Sequence, residues 1–273
     1  RDVAVTGVQT CALPISLPDH DSTSEIRPVI RALNGLFARV GAVRERERDF
    51  TAFAAHELRT PIAGLKTQAQ IALGSEDEAI RNNALRQITV GVDRTARLVR
   101  QLTDLTHAES GEFDDSIGHV DVGAAIQSLA DDIGQHHRDT ASVSISPELA
   151  RLKLDTNPSL FMVGTRNLLE NAILHSPFDK LVVCDVRHEP EGVSITIDDC
   201  GPGIPEDELP KVCNRFFRGR NPTQTGSGLG LAIAELACER MGATLHLENR
   251  SEGGLRAELR FAAVIGARQA RSD

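Results

Sequence analysis

The side chains of this 273-residue chain that are able to do chemistry fall into a few clusters. The first is HELRTP, His56 to Pro61, inside the longer stretch FTAFAAHELRTPIAGL. A neutral imidazole is a competent nucleophile near neutral pH. Glu57, next to it, is placed to hydrogen-bond the other ring nitrogen and fix its tautomer. Thr60 lies one helical turn from His56 and shares its face. Pro61 removes a helix N–H and crowds the carbonyl of Glu57, which predicts a kink one turn from His56 and a candidate hinge. The plainer reading is a surface histidine beside a helix ion pair, Glu57 with Arg59 or Lys66.

The other clusters lie more than a hundred residues downstream. RNLLENAILHSP places Asn167 and Asn171 four apart, so both amides share a helix face. Amide carbonyls are neutral oxygen ligands suited to a Mg²⁺ ion that keeps waters and substrate phosphates. In IDDCGPGIP, Asp199 ends an apolar strand and is followed by Gly201 and Gly203. A carboxylate there is able to accept a hydrogen bond from an adenine amino group, and the glycines permit close backbone approach. In TQTGSGLGLAIA, Gly226, Gly228 and Gly230 precede a helix, whose N-terminal N–H groups would cradle phosphates. This G-x-G-x-G spacing is not that of a Rossmann turn, and it lacks the Lys-Ser/Thr of a P-loop. Taken singly, the three clusters also fit capping asparagines, a plain turn and a flexible linker.

Helices and strands must position these groups. SEIRPVIRALNGLFARVGAVRERERDF has apolar residues at helical spacing, with Ser24 as cap and Pro28 near the start. Leu58, Ile62, Leu65, Ala69 and Ala72 then form a heptad seam. GSEDE breaks it, with Gly74 as stop and Ser75 as the new cap, Glu78 following three residues on. A second seam runs Leu85, Ile88, Val92, Thr95, Val99 and Leu102, widened by Leu98 and Leu105. Two helices joined by a short loop make an antiparallel hairpin, and dimerisation into a four-helix bundle would bury the remaining apolar face. Beyond the polar linker AESGEFDDSIGHV, helices and strands mix: a short strand and helix from VDVG, a strand at ASVSISPE, and a helix from SLFMVG. The compact apolar strand KLVVCDVRHE, the alternating strand GVSITIDDCG, the helix GLGLAIAELACERMG and two closing strands follow. The pattern predicts an α+β sandwich, helices on one face of a mixed sheet.

Composition narrows the function classes. Net charge is -9, which argues against a general nucleic-acid binder. Hydrophobic residues are 40% and aromatics only 3%, so the core must be aliphatic. Cys11, Cys184, Cys200, Cys213 and Cys238 show no CxxC spacing, which fits free thiols in a reducing cytoplasm. His107, His119 and the pair His136-His137 read as surface residues without a metal constellation. No apolar run approaches the ~18 residues that span a bilayer. The stretch VTGVQTCALPIS, Val5 to Ser16, resembles the translation of a sequencing-library adapter and is set outside the fold. A chain beginning at Arg1 is expected to be a piece of a longer protein, so any membrane segment would lie in the missing upstream region.

In this order and spacing the three downstream clusters resemble the N, G1 and G2 boxes of the GHKL (Bergerat-fold) ATPases, found in gyrase, mismatch-repair proteins and sensor histidine kinases. NRFFRG, Asn214 to Gly219, resembles the F box of the kinase branch, with the ATP lid between G1 and G2. HELRTP resembles the H box of two-component sensor histidine kinases, and the likeness covers roughly residues 17–265. It implies ATP and Mg²⁺ as cofactors. The implied nucleotide contacts are Asn167, Asn171, His175, Asp199, Gly201, Gly203, Phe216, Arg218, Gly226, Gly228, Leu229 and Gly230, with Asn171 on the metal and Asn167 beside it. The catalytic group it implies is His56 as phosphoacceptor, with Glu57, and with Thr60 orienting water for dephosphorylation of the partner. In hydrolytic relatives a Glu at the position of Asn167 activates water; an amide cannot, and Glu170 lies one residue off the face. An external phosphoryl acceptor is therefore expected.

The resemblance implies residues 17–49 as the end of a HAMP-like signalling linker and 50–112 as the dimerisation and phosphotransfer domain. Residues 118–265 would be the catalytic domain, and 266–273 a tail. It further implies a homodimer, a response regulator of OmpR-like class as partner, and the cytoplasmic portion of a bacterial inner-membrane protein. Leu174 stands where the family has a basic residue, His175 where an aromatic is frequent, and Asn214 where an acid is common. Phosphate charge would then rest on Mg²⁺, backbone amides, and Arg215 or Arg218. Two other readings remain: an ATP-driven conformational clamp, and a regulator phosphatase with weak kinase activity.

Overall fold

The computed structural model describes residues 27–111, 113, 116–136, 141–190, 192–220 and 226–262. The adapter-like segment 1–16 with Cys11, the Ser24 cap, His137 and the tail 266–273 lie outside the described residues. Among those described, no helix is long and apolar enough to cross a membrane. The chain divides into two compact units between Ala63 and Gly64.

The described part of the first unit is one helix, α1 (Arg27–Gly74), whose last turns belong to the second unit. It runs unbroken through the charged RERERD segment, through the expected 49/50 domain boundary and past Pro61. Its apolar side chains are not enclosed: Val29, Leu36, Val40 and Val43 are exposed, and Ile30 and Phe37 half-buried.

In the second unit α2 (Glu78–Ser110) follows a three-residue break. Its cap is Asp77, not Ser75: the Asp77 carboxylate accepts from Ala79 N at 2.7 Å and Ile80 N at 3.3 Å, while Ser75 Oγ donates to the Asp77 carbonyl. A charged acceptor two residues from the first free N–H groups outcompetes a hydroxyl set two residues too early. The helix stops at Gly111, whose φ of 75° is left-handed. The expected seam is only partly enclosed within one chain. Leu85, Val92 and Val99 are exposed, and the buried residues are Ala84, Leu98, Leu102, Leu105 and Ala108. Helix α2 packs on a helix of the α/β layer, α5 (Gly230–Arg240), and Leu98 and Leu105 are among its buried residues.

The remainder is the expected helix-on-sheet sandwich. The order is β1 (Gly118–Asp121), α3 (Val122–His136), β2 (Ser142–Ile145), β3 (Lys153–Thr156), α4 (Pro158–His175), β4 (Leu181–Glu189), β5 (Gly192–Asp198), then α5, β6 (Ala243–Asn249) and β7 (Leu255–Ala262). The main sheet runs β2-β4-β5-β7-β6, parallel only at β2/β4; β1 and β3 form a separate antiparallel ribbon. Short β3 was not legible in the sequence, since KLDT has no apolar run and gains its strand from pairing with β1. The strand types expected for β4 and β5 are exchanged. β4 alternates, with Val182, Cys184 and Val186 inward, whereas β5 is enclosed on both faces. The polar face of β5 lies under its β7 neighbours: Glu258 accepts from Ser194 Oγ, and Arg256 grips Asp198 at 2.7 and 2.6 Å. The core between sheet and helices is aliphatic around Phe161, Ile126, Leu169, Ile195 and Leu259.

Phe161 is fully enclosed, its ring 6.5 Å from that of Phe261. Phe161→Ala is expected to cost about 3–5 kcal/mol by urea unfolding. Asn157, whose Oδ1 caps α4 through Leu160 N at 3.0 Å, should cost about 1 kcal/mol when changed to Ala.

Candidate functional site

On α1, His56 and Thr60 are both exposed one turn apart, with Glu57 and Leu58 half-buried between them. His56 and Thr60 thus share an exposed face of this helix.

In the second unit α4, the end of β5 and the start of α5 converge. Asn167 is 2% exposed, and its amide donates to Val163 O at 2.9 Å, one turn back. That bond turns Oδ1 outward. Ideal Cβ geometry at Gly230 would lie 3.4 Å from the Asn171 amide and 3.5 Å from Asn167 Oδ1, so the two asparagines face the first residue of α5. No side chain caps that helix, which leaves its first N–H groups to an external acceptor. Two neutral oxygens beside free N–H groups fit a Mg²⁺ held mainly by substrate phosphates. Among the described residues no group of three or more His, Cys, Asp or Glu offers an all-protein metal cage.

Asp199 is 7% exposed at the end of β5. Its Oδ1 accepts from Gly201 N at 2.8 Å and Leu255 N at 2.9 Å. It lines a small cleft together with Asn171 and with apolar Leu168, Ala172, Ile197, Leu231, Leu255 and Ala257. Gly201 needs to be glycine, because a Cβ would sit 2.9 Å from His175 O and 3.3 Å from His175 Cβ. His175 therefore flanks the G1 turn. Although His175 is exposed, loss of solvent on its cleft side lowers its pKa, opposed by the Asp199 charge.

The F-box segment is joined to the glycine loop: Phe216 N donates to Gly228 O at 2.9 Å, and a Cβ on Gly228 would meet Phe217 O at 2.7 Å. Both Phe216 and Gly228 have left-handed φ. Leu229 is buried as the residue before α5, and Gly226 and Arg218 are exposed. Arg215 is not aimed at the cleft; it pairs with Glu109 of α2. Residues 221–225 of the lid interval lie outside the described residues.

Helix α2 reaches this site through contacts that sequence reasoning missed. Ser227 Oγ donates to Gln101 Oε1 at 2.7 Å, and Gln101 Nε2 donates to Asn167 Oδ1 at 3.2 Å. With Leu229 N donating to Ser227 Oγ at 3.2 Å, hydrogen bonds run in one direction from the α5 entry through α2 into α4. Glu170 is buried, its Oε1 3.8 Å from Arg100, and it is attracted by Arg97. Its carboxylate is thus engaged with α2, in keeping with its place off the asparagine face. Arg240 of α5 donates to the Ala108 carbonyl near the end of α2. A polar residue on a helix face carries no sequence signal of what it will touch, so Gln101 was unmarked. His107, expected on the surface, is half-buried and meets Phe113 edge-on at 5.9 Å.

Comparison with known proteins bears on both units. A family model described as the His Kinase A (phospho-acceptor) domain matches residues 46–111. Another, described as the histidine kinase-, DNA gyrase B- and HSP90-like ATPase, matches residues 157–264, and together they take in more than half of the chain. The chain belongs to the sensor histidine kinases. The sensor protein QseC of Salmonella typhi is 37% identical over 246 residues, 87% of this chain and 53% of the relative. The sensor-type histidine kinase PrrB of Mycobacterium leprae is 32% identical over 260 residues, 89% of this chain and 55% of the relative. The chain thus spans about half the length of the curated relatives it matches. The solved Acinetobacter baumannii histidine kinase AdeS aligns with a TM-score of 0.52 at 22% identity, over 76% of this chain and 97% of that one, a likeness of fold. A phosphoacceptor-type helical region followed by a GHKL-type ATPase domain is the architecture of this family, as the motifs implied.

Burial raises the pKa of Glu170, against the lowering pull of Arg97, Arg100 and Arg166, and burial likewise raises that of Asp104. A raised folded pKa means stability is greatest with the acid protonated and declines as pH rises through the carboxylate range. The stability of wild type relative to Glu170→Gln should therefore fall as pH rises above about 4.3, the ordinary glutamate value, read from urea midpoints at each pH.

Proposed function

We propose that the chain is the cytoplasmic core of an inner-membrane sensor kinase. It binds ATP with Mg²⁺ in its second unit, phosphorylates His56, and passes the phosphoryl group to an aspartate of a response regulator of OmpR-like class. The observation that carries this reading is the lining of the α5 entry. Asn167 and Asn171 stand there as amides, and the acid between them in sequence, Glu170, is paired with Arg100 of α2. Such a site holds phosphates and lacks a base to activate water, so the γ-phosphoryl group needs another acceptor. An exposed imidazole on a helix with Glu57 adjacent meets that need.

In this mechanism the Asp199 carboxylate accepts from the adenine amino group in the cleft, with His175 beside the base. Gly201 and Gly203 let the backbone approach, and Phe216, Arg218, Gly226, Gly228 and Leu229 form the border of the phosphate region before the N–H groups at Gly230. Asn171, with Asn167 beside it, would hold the metal. Mg²⁺ supplies charge neutralisation on the transferring group when bound. The unprotonated nitrogen of His56 attacks phosphorus, the N–P bond forms as the bond to the ADP oxygen breaks, and the proton on the other ring nitrogen is shared with Glu57. Positioning and charge supply most of the rate.

The exposed apolar residues Leu85, Val92 and Val99 of α2 support a homodimer that buries them between two copies. Thr60, exposed one turn from His56, supports a second activity, orienting water to dephosphorylate the regulator.

Incubation with γ-labelled ATP should give an acid-labile, base-stable label on the wild type and none on His56→Gln. A well-folded, ATP-binding wild type that took no label would count against the kinase reading. Asp199→Asn should weaken ATP binding by about tenfold or more, because a charged acceptor is replaced by a neutral one.

A further inference from the structure

The segment 199–204 carries the carboxylate and glycines assigned above to the base, and what holds it is the turn between β6 and β7, NRSEGG, Asn249 to Gly254. The ladder ends at Asp198, so the Asp199 carbonyl leaves the sheet. Arg250 Nη1 donates to that carbonyl at 2.7 Å, and Arg250 Nε lies 3.5 Å from the Asp198 carboxylate. Asp198 is itself gripped by Arg256 through two nitrogens, so Arg250 sits in a fixed charge frame.

The turn closes on itself through Arg250 N to Gly254 O at 2.9 Å. Gly254, with φ of 94°, lies so close that a Cβ would overlap the Asp199 carbonyl oxygen. The next residue, Leu255, accepts from Asp199 N at its carbonyl at 2.9 Å and donates its own N–H to Asp199 Oδ1 at 2.9 Å. At the far end of the segment the Asn249 amide takes both backbone groups of Ile204, accepting from N at 2.8 Å and donating to O at 2.6 Å. Gly203 follows the same logic: a Cβ there would meet Asn249 Oδ1 at 2.8 Å. One short turn therefore holds both ends of the loop that presents Asp199.

We propose that Arg250, assisted by Asn249, is a positioning and specificity-determining residue for the purine. It fixes the peptide plane after Asp199, so that Oδ1 stays between two backbone N–H groups and the remaining oxygen is presented to a donor on the base. A carboxylate held this way accepts from the 6-amino group of adenine and repels the 6-oxo group of guanine, two acceptors facing each other. If the plane turns, the carboxylate loses its bearing, and discrimination between the two bases falls further than general affinity. This rests on the nucleotide reading given above.

The test measures ATP and GTP dissociation constants on the whole chain for wild type, Arg250→Met and Arg250→Lys, with hydrogen exchange at the Gly201 and Leu255 amides. Arg250→Met should reduce the ATP-over-GTP preference by about tenfold and speed exchange at both amides. Arg250→Lys, which keeps one donor, should recover part of both. Equal weakening of ATP and GTP in Arg250→Met, or an unchanged preference, would overturn the inference while leaving the nucleotide reading in place. A wild type that bound neither nucleotide would overturn both.

Discussion

Asp199 keeps one carboxylate oxygen between the N–H groups of Gly201 and Leu255, and its main-chain carbonyl under Arg250. Much of the α/β layer is arranged around that condition. β5 must lie in the middle of the sheet so that its end reaches the helix layer, and its polar face must then be covered by Glu258 and Arg256 from β7. The glycines on either side are needed because the backbone comes within contact distance of His175 on one side and of Asp199 itself on the other. A buried carboxylate oxygen is tolerable only when it finds donors, and for Oδ1 the donors are backbone groups whose places are set by the sheet and its turn.

A second constraint comes from α2. The hydrogen bonds running from Leu229 through Ser227 and Gln101 to Asn167 tie a helix of the phosphotransfer region to the entry of α5. Leu98, Leu102 and Leu105 are enclosed there, and Glu170, Arg100, Arg215, Glu109 and Arg240 add charge around them. The same asparagine oxygen that faces Gly230 accepts from Gln101, so the docked helix and any ligand at that oxygen share one acceptor. A relation of this kind couples the packing of α2 to the state of the site.

Much of the fold was legible. Helical spacing, the stop at Gly74, the α+β succession and the three-box pattern each left a period or a spacing in the chain. The errors have physical causes. Ser75 looked like the cap because capping boxes begin with Ser, yet Asp77 stood nearer to the free N–H groups and carried charge. β5 looked half-exposed because its residues alternate, yet cross-strand partners cover Ser194, Thr196 and Asp198. β3 had no period at all.

For the site, residue type and order were enough to single out His56, Asn167, Asn171, Asp199 and the glycines as candidates, because each is suited to a task few other residue types can do: a nucleophile, a neutral oxygen ligand, a carboxylate acceptor, and, at Gly203 and Gly228, a positive φ. What the chain could not disclose was which ordinary polar residues would hold them. Gln101, Asn249 and Arg250 are common residue types at unremarkable spacings, 45 to 126 positions from the groups they touch. Hydrogen bonds over such separations are written in no local period. The chemistry of the site was thus determined by sequence, and its bracing, together with the face of α2 that becomes buried, was decided only when distant segments met in the tertiary structure.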